Sequence, residues 1–138
     1  MPLSSEQVQQ VLSAAKAAAK HAYCPYSRFT VGAAVLAEDG KIDSGSNVEN
    51  ASFGLTICAE RNAIFQMSAR GARKIELVAI YTPTESPTAP CGACRQVINE
   101  FGPNARIISF CDGPDRIETT LDQLLPHAFG PEMDAAKS

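Results

Sequence analysis

Three cysteines and one glutamate carry the chemistry that can be read from this chain. Cys58-Ala59-Glu60-Arg61 opens a segment that Pro90-Cys91-Gly92-Ala93-Cys94-Arg95 closes. Zn²⁺ favours tetrahedral coordination by thiolate or imidazole, and a catalytic zinc takes three protein ligands and leaves its fourth position to water. Cys58, Cys91 and Cys94 supply three thiolates. Glu60, two places after the first, is placed to move protons without binding the metal. Cys-x-x-Cys alone is ambiguous, because the same spacing serves redox dithiols and structural zinc. A structural site usually takes four protein ligands. Neither histidine, His21 or His127, is near the cysteine segments, and a fourth thiol would have to be Cys24 or Cys111. We expect the histidines at the surface and those two thiols buried without chemistry, which leaves an open three-thiolate site.

Three thiolates overcompensate a dication, so such a site should acidify its water less well than one with neutral ligands. Something must draw charge from the sulfurs. Both cysteine segments open expected helices, whose N-terminal amides stabilise thiolates. Arg61 is the second candidate for tuning the charge.

The elements that position these residues follow from pattern. Ser4 or Ser5 is an N-cap for a helix running to about Ala22, with Val8, Val11, Leu12 and Ala15 on its apolar face. Thr30 to Ala37 reads as a buried strand whose small residues admit close approach of another backbone or a ligand. Asp39-Gly40 turns the chain into an antiparallel return strand, Lys41 to Val48. A helix from Cys58 ends near Arg70 with Gly71 as its cap. Ile75 to Tyr81 is a strand, Cys91 to Phe101 a helix, and Arg106 to Cys111 a further strand. Asp112-Gly113-Pro114 is a turn, and Thr119 or Thr120 caps a short helix through Leu125. The tail from Gly130 should fray. This order implies one domain, residues 1–138, of α/β class: a three-layer α/β/α sandwich with a mixed sheet, antiparallel at its first pair and parallel afterwards.

A net charge of −3 with scattered lysines and arginines argues against a nucleic-acid-binding surface, which needs a basic stripe. The chain has no apolar run long enough to span a bilayer and no signal-peptide pattern at Met1-Pro2-Leu3-Ser4, so we expect a cytoplasmic protein. Five cysteines, an odd number, fit metal ligation or catalysis better than a disulfide framework.

With these motifs in place, the chain resembles the small, homotetrameric, zinc-dependent cytidine deaminases. The resemblance runs from Cys24-Pro25-Tyr26-Ser27 to Phe129-Gly130-Pro131-Glu132. It includes Phe29-Thr30-Val31-Gly32-Ala33-Ala34, Asn47-Val48-Glu49-Asn50-Ala51 and both cysteine segments. It implies hydrolytic deamination of cytidine and deoxycytidine to uridine and deoxyuridine in pyrimidine salvage. A zinc-bound hydroxide, with one zinc per subunit, would attack the base while Glu60 shuttles protons. It further implies that Asn47 and Glu49 hold the ribose hydroxyls and that Phe29 packs on the base. The amide of Ala59 and the carboxylate of Glu60 would read the pyrimidine edge, and the carbonyl of Ala89 would accept from the departing amino group. Phe129 would reach a neighbouring subunit's site.

Two features depart from the family pattern: Phe53 stands where Tyr is common, and Thr82 to Ala89 is Pro-rich. They bear on substrate preference. The competing readings are a deaminase of another aminopyrimidine, such as N4-modified cytidine or blasticidin S, and a non-enzymatic, zinc-stabilised binding protein. Blasticidin-type enzymes share the cysteine motifs but lack the Asn-Val-Glu-Asn segment. Glu60 beside an open ligand set argues against a binding protein.

Overall fold

The computed structural model describes residues 2–130. Its first helix, α1 (Ser5–Ala18), starts at a capping box: the Ser4 hydroxyl accepts from the Gln7 amide, and the Gln7 side chain accepts from the Ser4 amide. A single 3₁₀ turn, Ala19–His21, follows, so the regular helix stops earlier than expected. The remaining elements are β1 (Gly32–Ala37), β2 (Ile42–Ser46), α2 (Ala59–Ala69), β3 (Ile75–Thr82), α3 (Gly92–Phe101), β4 (Arg106–Cys111), β5 (Ile117–Thr120) and α4 (Leu121–Leu124).

The five strands form one mixed sheet in the order β2-β1-β3-β4-β5. Helix α1 covers one face, where Val11, Leu12 and Ala15 meet Ala34, Leu36, Leu77 and Ala79. Helices α2 and α3 cover the other, where Ala63, Ile64, Met67 and Ile98 meet Ala33, Val35, Val78, Ile80 and Ile107. The α/β/α layering matches the expectation. Residues at successive positions of β1 serve the two cores in turn, which explains why all six of its residues are buried.

Pairing departs from the expected pattern in two places. Among the strands of the described residues only β3 and β4 pair in parallel; β1 pairs antiparallel with β3 as well as with β2. Strand β5, absent from the sequence reading, pairs antiparallel with β4 beyond the Asp112-Gly113-Pro114 turn. It has one aliphatic residue in four, Ile117, so backbone pairing and not apolar pattern defines it. The return strand β2 ends at Ser46, short of Val48. Gly71 adopts φ +96 just past α2, and Gly40 φ +84 in the hairpin turn, as the cap and turn readings require. The fraying expected of the tail falls on residues 131–138, outside the described residues.

Small residues set the distances between layers. A Cβ on Gly32 would lie 2.0 Å from the Ala15 carbonyl oxygen of α1, and one on Gly45 would lie 2.7 Å from the Ala63 amide of α2. Glycine in β1 and β2 therefore lets both helices sit against the sheet backbone. For α2 this fixes the depth at which Cys58 and Glu60 enter the site.

Candidate metal centre and active-site cavity

Cys58 and Cys91 are the N-cap residues of α2 and α3, both with extended backbone, and Cys94 lies in the first turn of α3. The two helices aim their N-termini at one point near the carboxyl end of β3, where the chain leaves the parallel β3/β4 pair, the usual place for a site in such sheets. The three sulfurs lie within 4.8 Å of one another, and Cys58 Sγ is 3.8 Å from Cys91 Sγ. Tetrahedral Zn²⁺ with Zn–S bonds of about 2.3 Å separates its sulfurs by somewhat under 4 Å, so three thiols at this spacing fit one zinc ion.

The environment prepares Cys58 to ionise. The Cys94 thiol and the Arg61 guanidinium, by hydrogen bonding, together with Cys91, hold Cys58 down at about 5 against the cost of burial. Arg61 Nη2 donates to Cys58 Sγ at 3.5 Å. Cys94, hydrogen-bonded to Cys58 and fully buried, keeps its proton, its thiol being pushed up. A dication held by the sulfurs would displace that proton. Burial pushes the Glu60 carboxyl up to about 7, and the nearby Cys58 thiolate adds to the effect. The side chain of Glu60 is 5% exposed, in the first turn of α2.

A cavity of about 250 Å³ opens over this centre. Cys58, Ala59, Glu60, Ala89 and Cys91 form its inner end, and Phe29, Asn47, Glu49, Ser27 and Thr56 line it further out. Its wall is mostly apolar, so the few polar groups fix orientation. The sequence-distant motifs meet through backbone pairing. Asn47 and Glu49 flank Val48, which bridges both Tyr23 and Ile57. The Val48 amide donates to the Ile57 carbonyl and the Ile57 amide to the Val48 carbonyl, each at 2.9 Å, which sets the segment beside Cys58.

Asn47 and Glu49 are themselves held in place. Asn47, 7% exposed, accepts from the Val31 amide at 3.0 Å and donates to the Phe29 carbonyl at 2.7 Å. Each amide group keeps one further bonding position free. Glu49 Oε1 accepts from the Tyr26 and Ser27 amides at 3.0 and 3.1 Å, and Oε2 accepts from the Ser27 hydroxyl. The Ser27 hydroxyl, first of these contacts in weight, holds the Glu49 carboxyl below its usual range. Ser27, Thr56 and Thr88 line the cavity but went unassigned in the sequence reading. Ser27 lies in the Cys24-Pro25-Tyr26-Ser27 motif; for Thr56 and Thr88 no local pattern marks the role.

Phe129 stands apart. It is 87% exposed, does not line this cavity, and is tied down through its carbonyl, which accepts from Gln96 Nε2 at 2.6 Å. Cys24 and Cys111, expected to be buried, are half-buried: Cys24 sits 3.6 Å from the Thr30 hydroxyl, and Cys111 faces backbone carbonyls. His21 and His127 are exposed, as expected.

Comparison with known proteins agrees with this geometry. Residues 5–110 match the model of the cytidine and deoxycytidylate deaminase zinc-binding region. A cytidine deaminase of Sporosarcina psychrophila is 45% identical over 126 residues, 91% of this chain and 93% of that protein. One from Halalkalibacterium halodurans is 45% identical over 125 residues, covering 90% and 95%. The crystal structure of the Burkholderia pseudomallei cytidine deaminase superposes with a TM-score of 0.84 at 47% identity, covering 88% of this chain and 98% of that one. With fold, metal-binding region and near full-length similarity all in accord, the chain belongs to the cytidine deaminase family.

Proposed function

We propose that this protein hydrolyses cytidine and deoxycytidine to uridine and deoxyuridine with release of ammonia. The observation that supports this best is the meeting of three clustered thiols and a buried carboxyl at a cavity of about 250 Å³. Cys58, Cys91 and Cys94 would hold zinc. When bound, the metal supplies a Lewis acid that lets water serve as a nucleophile near neutral pH.

The protein's own groups do the rest. Glu60 accepts the proton of the attacking water and returns protons to the ring nitrogen and the departing amine. Water oxygen adds at C4, the exocyclic C–N bond breaks, and ammonia leaves. Burial of Glu60 suits it to both directions of transfer, because a carboxyl raised toward neutrality gives and takes protons with little bias. The Ala59 amide reads the base edge and the Ala89 carbonyl accepts from the amino group. Phe29 packs on the ring, and the free positions on Asn47 and the Glu49 carboxylate take the ribose hydroxyls. Arg61 offsets the third thiolate.

The active form is a homotetramer acting in the cytoplasm in pyrimidine salvage. Two observations support the assembly. Tyr23, Tyr26, Val48, Phe53 and Leu55 are all exposed apolar or aromatic side chains, and Phe129 is 87% exposed and does not line its own cavity. The cytoplasm is favoured because it keeps such thiols reduced.

Ammonia release from cytidine by zinc-replete protein tests the reading, with blasticidin S and N4-substituted cytidines alongside. Fast release from cytidine is the expected result. Release only from one of the others overturns the substrate, and silence on all of them overturns the reaction.

A further inference from the structure

The nine residues from Thr82 to Pro90 carry the chain from β3 to the first ligand of α3, and Thr88 and Ala89 form the cavity wall next to Cys91. Proline at three of these positions limits backbone freedom but supplies no amide donor to tie the segment to the sheet. The attachment comes from Thr84. Its carbonyl accepts two amides from the turn after β4, Asp112 at 3.0 Å and Gly113 at 3.2 Å. Its hydroxyl donates to the Ser86 carbonyl at 2.8 Å, and the fully buried Thr82 hydroxyl sits 2.8 Å away as the matching donor. At the other end, Arg95 Nε donates to the Pro90 carbonyl at 2.8 Å and Nη1 to the Leu124 carbonyl at 3.0 Å.

The turn packs against the segment without slack. A Cβ on Gly113 would lie 2.0 Å from the Glu85 carbonyl oxygen. Cys111 Sγ lies 3.5 Å from that same oxygen. A side chain at position 113 therefore has to push the segment away from the sheet.

We propose that Thr84, braced on the Asp112-Gly113 turn, is a positioning residue that sets the width of the cavity where the amino group of the base departs. The proposal rests on the deaminase reading above. Attack and departure occur at the metal end, and the wall beside Cys91 is the one that faces a substituent on the leaving nitrogen. A wall held by Thr84 admits a bare amino group; a wall that gives admits a larger one.

The test is the discrimination between cytidine and N4-methylcytidine, measured as the ratio of their kcat/KM values. That ratio does not change when a variant is merely less stable, because both substrates see the same fraction of active protein. Thr84→Val keeps shape and carbonyl but removes the hydroxyl contacts and leaves the buried Thr82 hydroxyl unpaired. It should raise the relative acceptance of N4-methylcytidine about three- to tenfold, the size expected for one or two lost hydrogen bonds. Thr84→Ser should restore the parent ratio, and Gly113→Ala should move it in the same direction as Thr84→Val. Unchanged ratios in soluble, zinc-loaded Thr84→Val and Gly113→Ala proteins overturn the assignment while leaving the deaminase reading intact. A parent protein that releases no ammonia from cytidine overturns both.

Discussion

Arg61 reaches back one helical turn to place its Nη2 3.5 Å from Cys58 Sγ, while its buried Nε has no protein partner. The arginine thus puts a fixed positive charge against the acidified Cys58 thiol. With a dication and three thiolates the centre carries one net negative charge, and Arg61 is the cation in direct contact with it. Arg61→Gln keeps a donor but removes the charge. We expect turnover or zinc affinity to fall roughly 10- to 100-fold, the usual effect of losing a group that supports a metal ligand. Zinc titration and kcat on the same preparation check this; an unchanged pair of values would make Arg61 a solvated helix residue.

Glu60 and Cys91 should fail differently. Glu60→Gln preserves size but cannot cycle a proton, so zinc content should stay near one per chain while kcat drops about 10²- to 10⁴-fold. Cys91→Ala should lose both zinc and activity. Elemental analysis beside kinetics separates the two. Chelation of the parent should abolish turnover, and added zinc should restore it.

Asn47 clamps Phe29 and Val31 through one amide. Its replacement leaves a backbone amide and a carbonyl without their partner in a part-buried place. Asn47→Ala should therefore destabilise the fold by about 1–3 kcal/mol per unsatisfied group and also raise KM, because Phe29 is released. Asn47→Asp keeps the acceptor for Val31 and loses only the donor to Phe29, so its loss of stability should be smaller. Thermal melts read the first effect and cytidine KM the second.

Tyr81 gives a pH signature away from the site. Burial and its hydrogen bond to Asp112 Oδ1 at 2.5 Å push the phenol up to about 12. The unfolded chain ionises the same group near 10. The stabilisation is complete below about pH 10 and is lost as the pH rises toward about 12, because the folded state holds the proton longer than the unfolded one. Tyr81→Phe should cost roughly 1.5–3 kcal/mol at pH 8, the range for a hydrogen bond to a charged group. The gap from the parent should narrow at pH 11. Urea midpoints at the two pH values decide it.

The sequence by itself determined the chemistry, because ligand type and helix-start position are local properties. Cys58 and Cys91 each precede a helix-forming run, and Glu60 follows at a fixed offset, so the three-thiol set and the carboxyl beside it could be read before any fold was known. The α/β layering was legible for the same reason: apolar period and turn residues mark α1, the hairpin and β3. Only the tertiary structure decided what depends on distant backbone pairing. Strand β5 exists because β4 offers it a ladder, not because its four residues demand one. The antiparallel β1–β3 pairing brings residues 38 to 49 positions apart into register, and no local pattern encodes that choice. The sharing of one cavity by Ser27, Asn47, Glu49 and Thr88 follows from where the Val48 bridges and the Thr84 brace hold the chain. The Val48 bridges and the bonds to the Thr84 carbonyl join backbone atoms, which every residue carries, and so they leave no mark in the sequence.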